Sequence, residues 1–269
     1  MKKIILFFIL IIMSVALYAQ NENKGEEKME LLRLFPRIAC IGSSLASGEI
    51  VSDDKKAPGI LFGQLGENGA VDELPACVDK YEGSWLTHIC RRINAQPKHY
   101  SRGGLNCRQW LEWFNYFMAL DNTKYPLYFI YLGGNDFYGN FKIGTPKDDI
   151  KANTFSGNYC EIIRSIRKIN PHAVILCMSM FTNWDNKNQN GNTQKDFSEA
   201  VKNITKEFDR CYYIDFAGTS PNTLEKSKHV YGGHYDSIGY LQVSYDIEKL
   251  ANDVLWENRN DLRDVSLYF

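Results

Sequence analysis

The sequence predicts an α/β fold in which a parallel sheet is covered by helices on both faces. Two features of the 269-residue chain support this prediction. Short runs typical of buried strands alternate five times with segments whose apolar residues recur at helical spacing. The chain also shows no internal repeat and no change of composition that would mark a second domain. We therefore expect one domain built around one sheet.

The strands are predicted from short runs that end in small or polar residues. The clearest is the apolar run from Pro126 to Leu132, which is typical of a strand buried on both faces. The strand-like runs are residues 38–41, 98–101, 126–132, 173–180 and 212–216.

The helices are predicted from apolar residues three or four positions apart. They lie near residues 85–94, 107–118, 159–170, 197–208 and 247–255. In the second of them we expect an aromatic-rich stripe to belong to the core: Trp110, Leu111, Phe114, Phe117 and Met118.

The N-terminal residues have the pattern of an export signal. Lys2 and Lys3 precede a short apolar run, and Ala19 precedes a polar stretch, so we expect residues 1–19 to be a secretory signal peptide. The alternative is an uncleaved membrane anchor, for which the run is short. The protein would then be periplasmic or secreted, with no stable membrane anchor after cleavage.

The rest of the chain is predicted to have three parts. Residues 20–35 are polar and then helix-like, and we expect a flexible lead-in there. We expect residues 36–269 to form a single domain. Within it, residues of about 49–80 form an irregular insertion that follows the first strand and could wall one side of a pocket.

Charge and cysteine content exclude some functions. Without residues 1–19 the chain has 29 basic and 32 acidic residues and no basic block, which argues against nucleic acid as a partner. The seven cysteines lack the spacing of a metal site. Cys40 and Cys177 lie in strand-like runs, so we expect them to be buried. Four others could pair in an oxidising compartment: Cys77, Cys107, Cys160 and Cys211.

Three short polar clusters carry the candidate chemistry. Residues 42–45 and 133–136 follow predicted strands, and His234 precedes the last helix. Open α/β sheets bind ligands at the carboxyl ends of their strands, so these clusters can converge. Ser44 is then a candidate nucleophile, His234 its base and Asn135 a donor to the oxyanion. Taken alone, the stretch around Ser44 is also typical of an ordinary turn between a strand and a helix.

The clusters, in this order, resemble those of the SGNH hydrolases, also called the GDSL family of esterases and lipases. The family's Gly-Asp-Ser-Leu block reads Gly42-Ser43-Ser44-Leu45 here, with Ser43 replacing the aspartate. Its Gly-X-Asn-Asp block is matched in full by Gly133-Gly134-Asn135-Asp136. Gly239 and Tyr240 follow His234 at the family's usual spacing.

The resemblance covers the chain from about Arg37 to the final helix. It implies a three-layer α/β/α sandwich with a flavodoxin-like, parallel, five-stranded sheet, the SGNH hydrolase fold. It also implies ester hydrolysis without a metal or another cofactor.

Two positions of the family pattern leave alternatives open. The oxyanion-hole glycine of the family follows the second strand; an ungapped match places Asn106 there, a small shift places Gly104 there, and Gly103 is its neighbour. We take Gly104 as the candidate. The family's acid lies three residues before the histidine, where this chain has Tyr231.

Without that acid, either the site works as a Ser-His dyad or another group must orient His234. Asp236 and Asp215 are the nearby carboxylates, but neither has the family's spacing. His229 is the only rival to His234, and it lacks the Gly-Tyr pair that follows at the family's distance.

We therefore expect a serine esterase with Ser44, Gly104, Asn135 and His234 in its active site. Its substrate would be a small-molecule or glycan ester, with removal of acetyl groups from a carbohydrate as the leading hypothesis. One alternative is a non-catalytic carbohydrate-binding protein that retains the fold, which Ser43 and Tyr231 would favour. The other is a lipase acting on longer acyl chains.

Overall fold

The computed structural model describes residues 30–51, 77–180, 186–219, 229–231 and 233–265. The compact unit of the chain is Leu31–Phe269. The predicted signal peptide lies outside the described residues, as do residues 20–29 of the lead-in and residues 52–76 of the insertion.

The described strands form one five-stranded sheet and two short pairs. They are β1 (Arg37–Gly42), β2 (Ile50–Val51), β3 (Cys77–Val78), β4 (Gln96–Ser101), β5 (Leu127–Tyr131), β6 (Val174–Met178), β7 (Cys211–Ile214), β8 (Val230–Tyr231) and β9 (His234–Tyr235). The sheet is parallel, in the order β4-β1-β5-β6-β7. β2 pairs with β3, and β8 with β9, in antiparallel fashion. The predicted five-stranded parallel sheet is confirmed.

The helices fall between the strands as predicted. They are α1 (Ser44–Ser47), α2 (Trp85–Ile93), α3 (Cys107–Asp121), α4 (Gly134–Tyr138), α5 (Phe155–Ile169), α6 (Gln194–Thr205), α7 (Phe216–Thr219) and α8 (Ser237–Glu257). Short 3₁₀ segments occur at Leu31–Leu34, Tyr81–Gly83, Ile150–Ala152 and Arg259–Leu262. No helix in the described part of the chain is long and apolar enough to cross a membrane.

The core consists of two apolar clusters, one on each face of the sheet. Alternate strand side chains point to opposite faces. Ile38 and Cys40 of β1 pack with α2 and α8, whereas Ala39 and Ile41 pack with α3, α5 and α6. Helices therefore cover both faces, and the α/β/α sandwich is confirmed.

The flexible lead-in ends earlier than the sequence predicted. Leu31, Leu32 and Phe35 are buried in the core cluster that contains α8, and the N–H of Leu32 donates to Asn252 Oδ1 at 2.9 Å. The prediction is therefore wrong for residues 31–35, because burying these apolar side chains stabilises an ordered conformation.

The predicted core stripe of α3 is only partly buried. Trp110, Leu111 and Met118 are buried and Phe114 is half-buried, but Phe117 is 59% exposed. The prediction for Phe117 is wrong because periodicity locates an apolar face without showing how far neighbouring elements cover it.

Six cysteines are buried and have free thiols: Cys40, Cys90, Cys107, Cys160, Cys177 and Cys211. The sulfur atoms of Cys177 and Cys211 lie 3.6 Å apart, on neighbouring strands.

Candidate active site

Three neighbouring strands end at the same level of the sheet. In the pairing register, Gly42 at the end of β1 lies opposite Ser101 of β4 and Tyr131 of β5. Ser44, Gly104 and Asn135 follow these strand ends by two to four residues. The fold thus brings three of the predicted site residues to one edge of the sheet, where open α/β folds bind ligands.

Ser44 is the first residue of α1, directly after the β1 turn, and is half-buried. Gly42 allows this turn, since a Cβ there would overlap the side chain of Ala46 and press on the carbonyl of Tyr131. Because Ser44 opens the helix, its N–H has no acceptor within that helix and can serve a ligand.

The Ser44 turn is held in place by its own carbonyl oxygen. That oxygen accepts a hydrogen bond from the Glu49 N–H at 3.0 Å. It also lies 3.0 Å from the Ser47 hydroxyl, whose proton it shares with Asp79, and 3.3 Å from the Tyr240 hydroxyl. Tyr240 also donates to the Glu49 carbonyl at 2.8 Å. The fully buried Tyr240 ring therefore ties α8 to the turn, which gives the Gly239-Tyr240 pattern a structural role.

The structure separates the three oxyanion-hole candidates by their N–H groups. The Gly103 N–H donates to Asp79 Oδ1 at 3.1 Å, and the Asn106 N–H donates to Gln109 Oε1 at 3.1 Å. The Gly104 N–H has no acceptor among the described residues, and Gly104 is exposed with φ +80°. Of the three, Gly104 has the N–H that is available to a ligand.

Asn135 lies in α4 and is half-buried. Its amide nitrogen donates to the Leu105 carbonyl at 3.0 Å, which uses one of its two hydrogens. The bond connects the β5 turn to the β4 turn that contains Gly104. The second amide hydrogen can donate to a ligand.

Asp136 braces the same two turns from below the surface. It is fully buried, and both carboxylate oxygens lie 3.1 Å from the N–H of Cys107, the first residue of α3. Burial raises the pKa of Asp136 to about 7, although hydrogen bonds from the backbone and thiol of Cys107 oppose the shift. Its position supports a bracing role for Asp136 rather than a role in proton transfer.

His234 begins β9, which packs against α1 and β2. The ring is half-buried, and its Nε2 lies 3.4 Å from Oε1 of the buried Glu49. Within the described part of the chain, no hydrogen bond joins the Ser44 hydroxyl to this ring. Catalytic hydrogen bonds are often absent until a substrate binds.

The sequence of residues 40–240 matches the GDSL-like Lipase/Acylhydrolase family. The chain belongs to this family. It is therefore an ester hydrolase of the SGNH/GDSL type, as the three motif blocks predicted. No curated protein matches the sequence.

Solved structures with the same fold include GDSL-family members and carbohydrate esterases. A putative GDSL-like lipase from Bacteroides uniformis has a TM-score of 0.56 at 14% identity, over 82% of this chain and 97% of that chain. A family two carbohydrate esterase from Clostridium thermocellum has a TM-score of 0.55 at 14% identity, over 81% and 64%. A carbohydrate esterase family 2 enzyme from Corynascus thermopiles has a TM-score of 0.53 at 14% identity, over 80% and 65%.

The position where SGNH hydrolases usually have their acid lies opposite the base. Tyr231 pairs with His234 across the β8–β9 hairpin. The two alternative acids suggested by the sequence are placed elsewhere. Asp236 contacts His229 Nδ1 at 3.0 Å and caps α8, and Asp215 is exposed after β7, three strands from β1.

Two carboxylates near the base were missed by the sequence analysis. Glu49 lies five residues after Ser44, and Asp79 follows β3 at the far end of the predicted insertion. Asp79 accepts hydrogen bonds from the Ser47 hydroxyl and the Gly103 N–H. Burial raises the pKa of Asp79, although Ser47, Gly103, Arg102 and His234 oppose the shift. Neither acid lies in one of the three motif blocks, so no local sequence pattern identified Glu49 or Asp79 as a site residue.

The described residues contain no group of three or more His, Cys, Asp or Glu side chains that could hold a metal ion. The chemistry available at the site is that of a hydroxyl, an imidazole, two carboxylates and several unpaired N–H donors.

Proposed function

We propose that this protein is a serine esterase that removes acetyl groups from a carbohydrate. The observation that carries the proposal is that β1, β4 and β5 end opposite one another in the sheet. This brings Ser44, Gly104 and Asn135 to the same edge of the sheet. His234 reaches the same turn through the contact of β9 with α1.

In the proposed reaction, the Ser44 hydroxyl attacks the ester carbonyl while His234 accepts its proton. The oxyanion receives hydrogen bonds from the N–H groups of Ser44 and Gly104 and from the Asn135 amide. The intermediate collapses, and the sugar hydroxyl leaves with the proton from His234. Water, deprotonated by His234, then attacks the acetyl-enzyme; the bond to Ser44 breaks, His234 returns the proton to the Ser44 oxygen, and acetate is released.

A carbohydrate substrate is supported by an exposed ring beside the site. Tyr138 is 57% exposed and lies three residues after Asn135 on α4, so both side chains share one side of the helix. A ring with an apolar face and a polar hydroxyl suits the mixed surface of a sugar. Two of the structural relatives are carbohydrate esterases. Export directed by residues 1–19, which stays a prediction, would place the enzyme where extracellular glycans occur.

The test compares the purified protein with its Ser44→Ala and Ser43→Ala variants. Ser43 is a matched control because it adjoins the nucleophile and its side chain makes no capping hydrogen bond. Rates are measured on aryl acetate, butyrate and octanoate, and acetate release is measured from an acetylated oligosaccharide.

We expect Ser44→Ala to lower kcat/KM on aryl acetate by on the order of 10³-fold or more, with Ser43→Ala close to the unchanged protein. Equal rates for the unchanged protein and Ser44→Ala would contradict the esterase mechanism and favour a non-catalytic binding protein. A rate that rises from acetate to octanoate would instead identify a lipase.

A further inference from the structure

Glu49 occupies an unusual place for a carboxylate. Its side chain is only 8% exposed, and its Oε1 lies 3.4 Å from Nε2 of His234. Buried carboxylates are rare unless they are paired, because removal from water is costly. We infer that Glu49 is the positioning residue of His234 and supplies the carboxylate that the family position, Tyr231, lacks. This inference rests on the proposed function of Ser44 and His234.

The backbone around Glu49 fixes its position relative to the nucleophile. The Glu49 N–H donates to the Ser44 carbonyl at 3.0 Å, and the Glu49 carbonyl accepts from Tyr240 at 2.8 Å. Gly48, in the left-handed region with φ +75°, reverses the chain between α1 and Glu49. One short turn therefore holds both the nucleophile and the acid.

The absence of a side chain at Gly103 leaves room for the Glu49 carboxylate. A Cβ on Gly103 would overlap Glu49 Oε2, so a larger residue at position 103 would displace the carboxylate. Gly103 precedes Gly104, the proposed oxyanion donor. The acid, the base and the oxyanion turn are thus packed against one another.

The other charged groups at this place have different partners. Asp79 accepts hydrogen bonds from Ser47 and Gly103, and Arg102 acts on Asp79 through its charge. Asp79 and His234 also interact through their charges at longer range. Among the described residues, Glu49 is the carboxylate that lies in direct contact with the imidazole.

The charge of Glu49 matters most after His234 has taken the proton of Ser44. The positive charge of the imidazolium is shared by both ring nitrogens, so a nearby carboxylate stabilises it whichever nitrogen accepts the proton. An uncharged imidazole gains less from the same carboxylate. Glu49 therefore stabilises the transition state more than the bound substrate, and its loss should lower kcat rather than raise KM.

The experiment replaces Glu49 by glutamine and by aspartate. Glu49→Gln keeps the size and an acceptor oxygen but removes the charge, and Glu49→Asp keeps the charge with a shorter side chain. Glu112→Gln is the control, since Glu112 forms an exposed ion pair with Arg108 on α3. kcat, KM, the pH profile of kcat/KM and the unfolding temperature are measured for each with aryl acetate.

We expect Glu49→Gln to lower kcat by on the order of 10²-fold with little change in KM. The acidic limb of kcat/KM should move to lower pH, because the protonated ring loses a nearby negative charge. Glu49→Asp should keep more activity than Glu49→Gln, and Glu112→Gln should match the unchanged protein.

Two outcomes separate the inference from the proposed function. If Ser44→Ala is inactive but Glu49→Gln keeps full kcat and an unmoved pH profile, the role of Glu49 is wrong and the esterase mechanism stands. If Ser44→Ala keeps full activity, the proposed mechanism fails first. A purely structural role of Glu49 would lower the unfolding temperature without moving the acidic limb, and that result would also overturn the inference.

Discussion

Two histidines lie five residues apart in this protein, and each has a carboxylate partner of a different kind. His229 pairs with Asp236, seven residues further along, and the Asp236 side chain is 28% exposed. His234 pairs with Glu49, which comes from the other end of the domain and has a side chain that is 8% exposed. One pair is local in sequence and has a partly exposed carboxylate, and the other is distant in sequence and has a buried carboxylate, while the two rings are similarly exposed.

On the proposed assignment, the local pair has a structural role and the distant pair a catalytic one. Asp236 already accepts from the Gly239 N–H at 2.7 Å as the cap of α8, and its N–H donates to the His229 carbonyl at 3.1 Å. The local pair therefore closes the hairpin onto the helix. The distant pair forms only when the turn after β1 meets β9. A charge interaction is also stronger where water is largely excluded.

The largest expected effect comes from replacing His234, with the replacement of His229 as the comparison. His234→Ala should lower kcat/KM on aryl acetate by on the order of 10³-fold, because the proton of Ser44 loses its acceptor. His229→Ala should change it by less than about threefold, since among the described residues that ring contacts Asp236, the cap of α8. Initial rates of the two variants, with circular dichroism to confirm folding, make the comparison. A larger loss in His229→Ala than in His234→Ala would reverse our assignment of the base.

A smaller effect is expected from crowding Glu49 without removing it. Gly103→Ala places a methyl group where Glu49 Oε2 now lies, so kcat should fall by on the order of tenfold as the carboxylate moves from His234. Gly83→Ala is the matched control, because a Cβ there meets no atom within 4 Å. The kinetic constants of both variants are measured on aryl acetate.

The Glu49→Gln background sharpens this test. If Gly103→Ala acts through the Glu49 carboxylate, most of its effect on kcat should vanish once that charge is gone. An undiminished loss in the double variant would show that position 103 acts on the oxyanion turn instead.

The parts of this protein that sequence could predict are those set by local pattern. The run from residue 126 to 132 has no polar interruption, so β5 and its burial on both faces follow from hydrophobicity alone. Ser44, Asn135 and His234 stand out because small and polar residues break such patterns at strand ends or before a helix.

Contacts between distant segments could not be predicted in this way. Glu49 and Asp79 meet the β4 turn only after the sheet has formed, and nothing in their own neighbourhoods distinguishes them from surface acids. The burial of Leu31 and the exposure of Phe117 have the same cause, since each depends on which element packs there. Nearness to His234 in the sequence made Asp236 a candidate acid, but the fold pairs Asp236 with the other histidine.

The smallest expected effect concerns stability, and it compares the fully buried Asp136 with the partly exposed Asp236. Asp136 is fully buried and its pKa is raised to about 7, so the folded state holds a proton that the unfolded state releases near pH 4. Its contribution to the free energy of unfolding therefore falls as pH rises from about 4 to 7.

For Asp236, burial raises the pKa, but the hydrogen bonds from His229 and Gly239 outweigh this effect, so the pKa lies below the ordinary value. Its stabilisation is present above pH 4 and is lost as pH falls further.

The two asparagine variants should therefore respond to pH in opposite ways. Asp136→Asn should gain in unfolding temperature relative to the unchanged protein between pH 5 and 8, because the amide avoids the cost of a buried charge. Asp236→Asn should be the less stable protein at pH 7 and approach the unchanged protein as the pH falls below about 4, because the capping carboxylate then takes up a proton and loses its charge. Thermal unfolding across this pH range measures both differences. A difference for Asp136→Asn that stays constant from pH 5 to 8 would mean that Asp136 does not ionise there. Asp136 would then keep a single protonation state throughout that range, with the N–H and the thiol of Cys107 holding its carboxyl group at the start of α3.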